Sequence, residues 1–175
     1  MTLQMSIGRK CLKGIGSGAV GLIAAALLVG GAGPEKPSIS SQSPIEAGEY
    51  LVTIGGCNDC HTDGWNRNPG KVPVAQRLTG SGVGWTGPWG TSYPTNLRLL
   101  VQQMTADRWV QYVATMQSRP PMPWFNVRSM SEPDLRAMYA YIRSLGPAGV
   151  PAPDALPPGE KPKTPAIDAV PHPPS

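Results

Sequence analysis

Cys57-Asn58-Asp59-Cys60-His61 is the stretch of this 175-residue chain where side chains able to do chemistry crowd together. Two thiols three positions apart share one helical turn, so each can reach one vinyl group of the same porphyrin. The histidine that follows then lies beneath the iron as its proximal ligand. Cys-x-x-Cys also serves zinc sites, disulfides and redox dithiols. No second cysteine pair is present to complete a zinc site, since the remaining cysteine is the distant Cys11. A redox dithiol normally belongs to a βαβ unit, and no such pattern appears. The favoured reading is one covalently attached haem c, held by Cys57 and Cys60 with His61 on the iron.

A second axial ligand must come from elsewhere. The other histidine, His172, sits in a proline-rich tail, so attention falls on five methionines. Met104 and Met130 precede the helix-capping residues Thr105 and Ser131 and can pack on Trp109 and Leu135 as hydrophobic staples. Met116 and Met138 fall on apolar helical stripes, where core packing is the default. Met122 has no such role. It lies in Arg119-Pro120-Pro121-Met122-Pro123-Trp124, where three prolines fix φ and stiffen an extended strap. Met122 is therefore the candidate ligand, Met130 the reserve, and an incidental methionine in a surface turn the plain alternative. With His61 and Met122 both bound, the iron would exchange electrons without binding substrate. A haem enzyme or gas-binding sensor with an open iron site is the competing function.

Three helices should position these groups. Ser43-Pro44-Ile45-Glu46 reads as an N-cap, a first-turn proline and a reciprocal glutamate, with Ala47, Tyr50, Leu51 and Ile54 as the stripe. A second helix runs from Thr105 to about Ser118 with Trp109, Tyr112, Val113 and Met116 inward. A third starts at Ser131, buries Leu135, Met138, Ile142 and Leu145, and stops at Gly146-Pro147. Residues 62–104 show little periodicity and read as ordered loops with no strand. The fold class is all-α. Leu, Ile, Val and Phe supply only nineteen of the 101 residues from 45 to 145, so a flat apolar prosthetic group would provide missing buried surface.

The flanks read differently. Arg9, Lys10 and Lys13 precede twenty uncharged residues, 14–33, that end in small side chains. Residues 1–32 thus read as a signal peptide or an N-terminal membrane anchor, with the seven glycines of that apolar run favouring cleavage. Without those three cations the charge balance is twelve basic against eleven acidic, too even for a nucleic-acid face. Residues 33–43 form a Pro/Ser-rich linker and 44–145 the domain. Residues 146–175, with ten prolines, read as a disordered, solvated tail.

Taken together, the motif, the Met-Pro element and the closing helix resemble a class I cytochrome c across residues 45–145. The resemblance implies a cytochrome c fold of about three main helices and long ordered loops around one haem. It also implies periplasmic electron transfer, as a carrier or as the cytochrome subunit of a dehydrogenase or respiratory chain. The partners would be a dehydrogenase donor and an oxidase or other cytochrome acceptor, with membrane association possible through residues 14–33. In that family the proximal histidine donates to a proline carbonyl in a Gly-Pro turn, which points to Pro88, with Pro69 as rival. The run from Gly87 to Leu97 resembles a segment of cytochrome subunits in membrane-bound bacterial dehydrogenases, which makes Trp89, Tyr93 and Arg98 candidate partners of a haem propionate. The family's packing also has helices one and three crossing, with Gly48 against the Tyr139 or Ile142 side.

Overall fold

Ser43, Thr105 and Ser131 each precede a long helix and accept a backbone N–H three residues on, satisfying donors that the first turn cannot. The helices are α1 (Pro44–Ile54), α4 (Ala106–Thr115) and α6 (Glu132–Ser144), in a computed structural model that describes residue 39 and residues 43–173. Three shorter ones lie between: α2 (Cys57–His61), α3 (Leu97–Gln102) and α5 (Trp124–Arg128). The segment read as signal or anchor, and nearly all of the linker, lie outside the described residues. Among the described residues no helix is long and apolar enough to cross a membrane.

The core gathers Leu51 and Val52 of α1, Trp109 and Val113 of α4, and Leu135, Met138 and Ile142 of α6. The α1 stripe is rotated from the expected one. Ala47, Gly48, Leu51 and Val52 are buried, whereas Tyr50 and Ile54 are exposed. Gly48 sets this face. A Cβ there would stand 2.1 Å from the Ala137 carbonyl oxygen and 2.7 Å from Tyr141 Cβ, so only glycine allows α1 this close to α6. The neighbours are Ala137 and Tyr141, not Tyr139 or Ile142. In α4, Trp109 and Val113 point inward as expected, while Tyr112 is exposed. This helix stops three residues short of Ser118, because Met116 is already extended and leads into prolines that no helix can absorb.

Two expectations are corrected outside the helices. Residues 62–104 contain a hairpin as well as α3. Strand β1 (Gly84–Gly87) pairs antiparallel with β2 (Gly90–Ser92), in register Trp85 to Ser92 and Thr86 to Thr91. Strands of three and four residues made largely of Gly, Thr and Ser carry no apolar alternation to detect. The tail is seated on the domain rather than free. Its strand β3 (Ala166–Asp168) runs parallel to β1, giving a sheet of order β2-β1-β3. Nearer the root, Asn96 Nδ2 donates to the carbonyls of Ala148 (2.8 Å) and Val150 (3.1 Å). A proline-rich chain makes no hydrogen bonds of its own, so its carbonyls are available to such donors. The tail is held by backbone hydrogen bonds rather than by buried apolar side chains, of which it has none among the described residues.

Candidate functional site

The Gly55-Gly56 pair ends α1, and Gly56, in the left-handed region, starts the single turn of α2 that carries both thiols and the imidazole. The turn is locked from below. Thr62 Oγ1 donates to Asn58 Oδ1 (2.7 Å) and accepts the Leu78 N–H (2.8 Å), and both side chains are buried. The Gly80 N–H donates to the His61 carbonyl at 2.8 Å. These bonds leave α2 little freedom to rotate.

His61 is buried, and its Nδ1 lies 2.7 Å from the Thr95 carbonyl oxygen. A carbonyl only accepts, so Nδ1 carries the proton and the Nε2 lone pair is left for a metal. Burial lowers the imidazole's proton affinity, opposed by the Thr95 carbonyl, and favours the neutral, ligating ring. Thr95 thus takes the place expected for Pro88 or Pro69. Pro88 is at the tip of the β1–β2 hairpin, while the chain that returns from β2 brings Thr95 to the ring. The signal for this segment is Asn96, which caps α3 by accepting the Leu99 N–H at 3.0 Å. The carbonyl preceding such a cap lies in extended chain, free to accept.

The propionate candidates separate. Arg98 is buried and donates to the carbonyls of Gly146 (2.6 Å), Ala75 (2.8 Å) and Leu145, so its guanidinium is spent on the backbone. Tyr93 Oη meets Thr164 Oγ1 of the tail at 3.0 Å. Trp89 Nε1 is buried with no partner among the described residues.

One cleft joins the motif to the proline strap. It opens to solvent and is lined by Cys60, His61 and Thr95 together with Ser118, Arg119 and Met122 of the strap. Met122 is half-buried. Met138 belongs to the apolar core, and Met104, Met116 and Met130 pack against it. The strap is bonded internally from Met122 N–H to Arg119 O (3.3 Å) and from Trp124 N–H to Met122 O (2.9 Å). His172 is paired with Asp168 at 3.0 Å in the exposed tail.

Both cysteines are free thiols. Burial pushes the Cys57 thiol up to about 11, and burial followed by the Asp59 charge raises Cys60 as well. A redox dithiol needs a lowered, nucleophilic cysteine, so these surroundings do not suit one. They do suit a haem: two neutral thiols on one turn, an imidazole with its outer nitrogen fixed, and a cleft floored by aromatic and proline side chains.

Comparison with known families points the same way. A protein-family model described as Cytochrome c matches residues 45–146. No curated protein and no solved structure matches the chain.

Proposed function

The chain belongs to the cytochrome c family, and from that premise we propose that it is a periplasmic one-electron carrier, or the cytochrome subunit of a dehydrogenase or respiratory chain, with His61 and Met122 as axial ligands. Its haem c is attached covalently through Cys57 and Cys60 of the Cys-x-x-Cys-His motif. When bound, that haem supplies reversible one-electron chemistry at iron. The rest is done by the chain. Thr95 fixes the tautomer and plane of His61. The two cysteines prevent loss of the group when the domain opens.

The observation that carries the ligand assignment is a contrast among methionines. Met122 lines the cleft that His61 lines, while Met104, Met116, Met130 and Met138 are engaged with the apolar core. A thioether stabilises reduced iron and raises the potential, which suits transfer rather than oxygen chemistry. Export is supported by the charge and glycine pattern of residues 1–32. Electrons would arrive from a dehydrogenase and leave to an oxidase or another cytochrome.

The test is Met122→Ala in the holoprotein. The oxidised form should lose its red-region sulfur-to-iron charge-transfer band, and the midpoint potential should fall by on the order of 0.2 V, a fraction of the ~0.8 V span that axial ligands cover. Carbon monoxide should then bind. A wild-type protein that already binds carbon monoxide and lacks the band would favour an open iron site instead.

A further inference from the structure

The strap that carries Met122 has few means of holding itself in place. Pro120, Pro121 and Pro123 have no N–H, and the Met122 N–H is turned inward to the Arg119 carbonyl. From Arg119 to Pro123 the only side-chain donor is the Arg119 guanidinium. Its Nη1 donates to the Leu156 carbonyl of the tail at 2.9 Å. One further tether comes from the other direction, where Ser92 Oγ donates to the Pro120 carbonyl.

Leu156 is itself a fixed point. Its N–H donates to the Thr91 carbonyl (2.9 Å) and its carbonyl accepts the Thr91 N–H (3.0 Å), an antiparallel bridge to a fully buried residue of β2. The bridge is built into the sequence on the domain side. Gly90 has φ +94, and a Cβ there would stand 2.1 Å from the Leu156 oxygen, so any other residue would push the tail away. The tail is bound on either side of this point, by Asn96 to Ala148 and Val150 and by the β3–β1 pairing. The carbonyl that Arg119 reaches is thus the one that the sheet immobilises.

We propose that Arg119 is a positioning residue for Met122, acting through Leu156, so that the C-terminal tail clasps the strap against the His61 side of the cleft. The proposal rests on Met122 being an axial ligand. The tail then holds a surface strap whose three prolines lack N–H groups as one arm of the coordination site. Local loss of the clasp frees the thioether while the helical core stays intact, because none of the residues involved belongs to that core.

The experiment uses the full-length oxidised holoprotein and follows two signals through a denaturant titration: the sulfur-to-iron band and the far-UV helical signal. Arg119→Ala should raise the fraction of protein lacking the band about fivefold at a given denaturant concentration, as expected for one lost charge-assisted bond at an exposed site. The helical transition should not move. Leu156→Pro, which breaks the bridge to Thr91, should do the same. The double variant should match either single variant, because both remove one connection. Arg119→Lys, which keeps a donor, should recover most of the wild-type behaviour. Effects of Arg119→Ala and Leu156→Pro that multiply, or an Arg119→Ala band as robust as wild type, would overturn the clasp alone. A wild-type spectrum without the band would instead overturn the ligation of Met122 and the clasp with it.

Discussion

Around α1, α4 and α6 the molecule is joined by apolar side chains; around the hairpin, the strap and the tail it is joined by polar side chains reaching for backbone carbonyls. On the helical side, Val52, Val113 and Ile142 are fully buried, and polar bonds such as Trp109 Nε1 to the Leu135 carbonyl (2.9 Å) are few. On the other side, Asn96, Arg98 and Arg119 hold carbonyls of Ala75, Leu145, Gly146, Ala148, Val150 and Leu156. Apolar contacts scale with area and tolerate swaps of similar volume. Carbonyl contacts depend on a donor at one place, and a missing donor leaves a buried acceptor without a partner. The cleft lies where the two kinds of construction meet. Cys57 packs on the apolar core, whereas Thr95 and Met122 belong to the carbonyl-held side.

The largest blow to this division comes from Cys57→Ser with Cys60→Ser. Loss of the covalent haem should leave little stable protein, because the core has few large apolar residues to spare. Soluble, cooperatively melting apo-protein would show that both sides stand without it. Ile142→Ala should cost about 3–4 kcal/mol by cavity formation, read as a lower unfolding midpoint with the tail still protected in hydrogen exchange. Arg98→Met should cost less, about 2–3 kcal/mol, by orphaning three carbonyls, and should first speed exchange of the Gly146 N–H that donates to Arg143. Equal loss of protection everywhere would mean that the sides are not separable. Trp109→Phe keeps most of the apolar area and removes one hydrogen bond, at about 1 kcal/mol. Arg136→Ala breaks exposed contacts with Asp107 and Glu132 and should leave the melting temperature where it was.

The same division explains what could be read from the chain. The helical side announces itself by period and caps: Ser43, Thr105 and Ser131 all cap, and Leu135, Met138 and Ile142 are all buried. The motif was legible because thiols and imidazoles are rare side chains at a fixed spacing. Met122 stood out because staples and stripes explained the others. Thr95 was not legible, since the group it contributes is a carbonyl that every residue possesses. Nor was the docked tail, whose proline content speaks of extended chain but not of what the chain lies on. Tyr50 and Ile54 misled because a helix wheel cannot see Ala137, whose closeness to Gly48 turns α1 toward Val52.

Pro94, Thr95 and Asn96 are consecutive, and they respectively line the cleft, orient the imidazole, and grip both the first turn of α3 and the root of the tail. Tilting the ring would therefore drag a helix and a terminus along with it. The facing jaw hangs on three prolines and a pair of tethers. In this vice one plate is bolted and the other sprung, so heat, alkali or mechanical load should always part the cleft at its methionine side first.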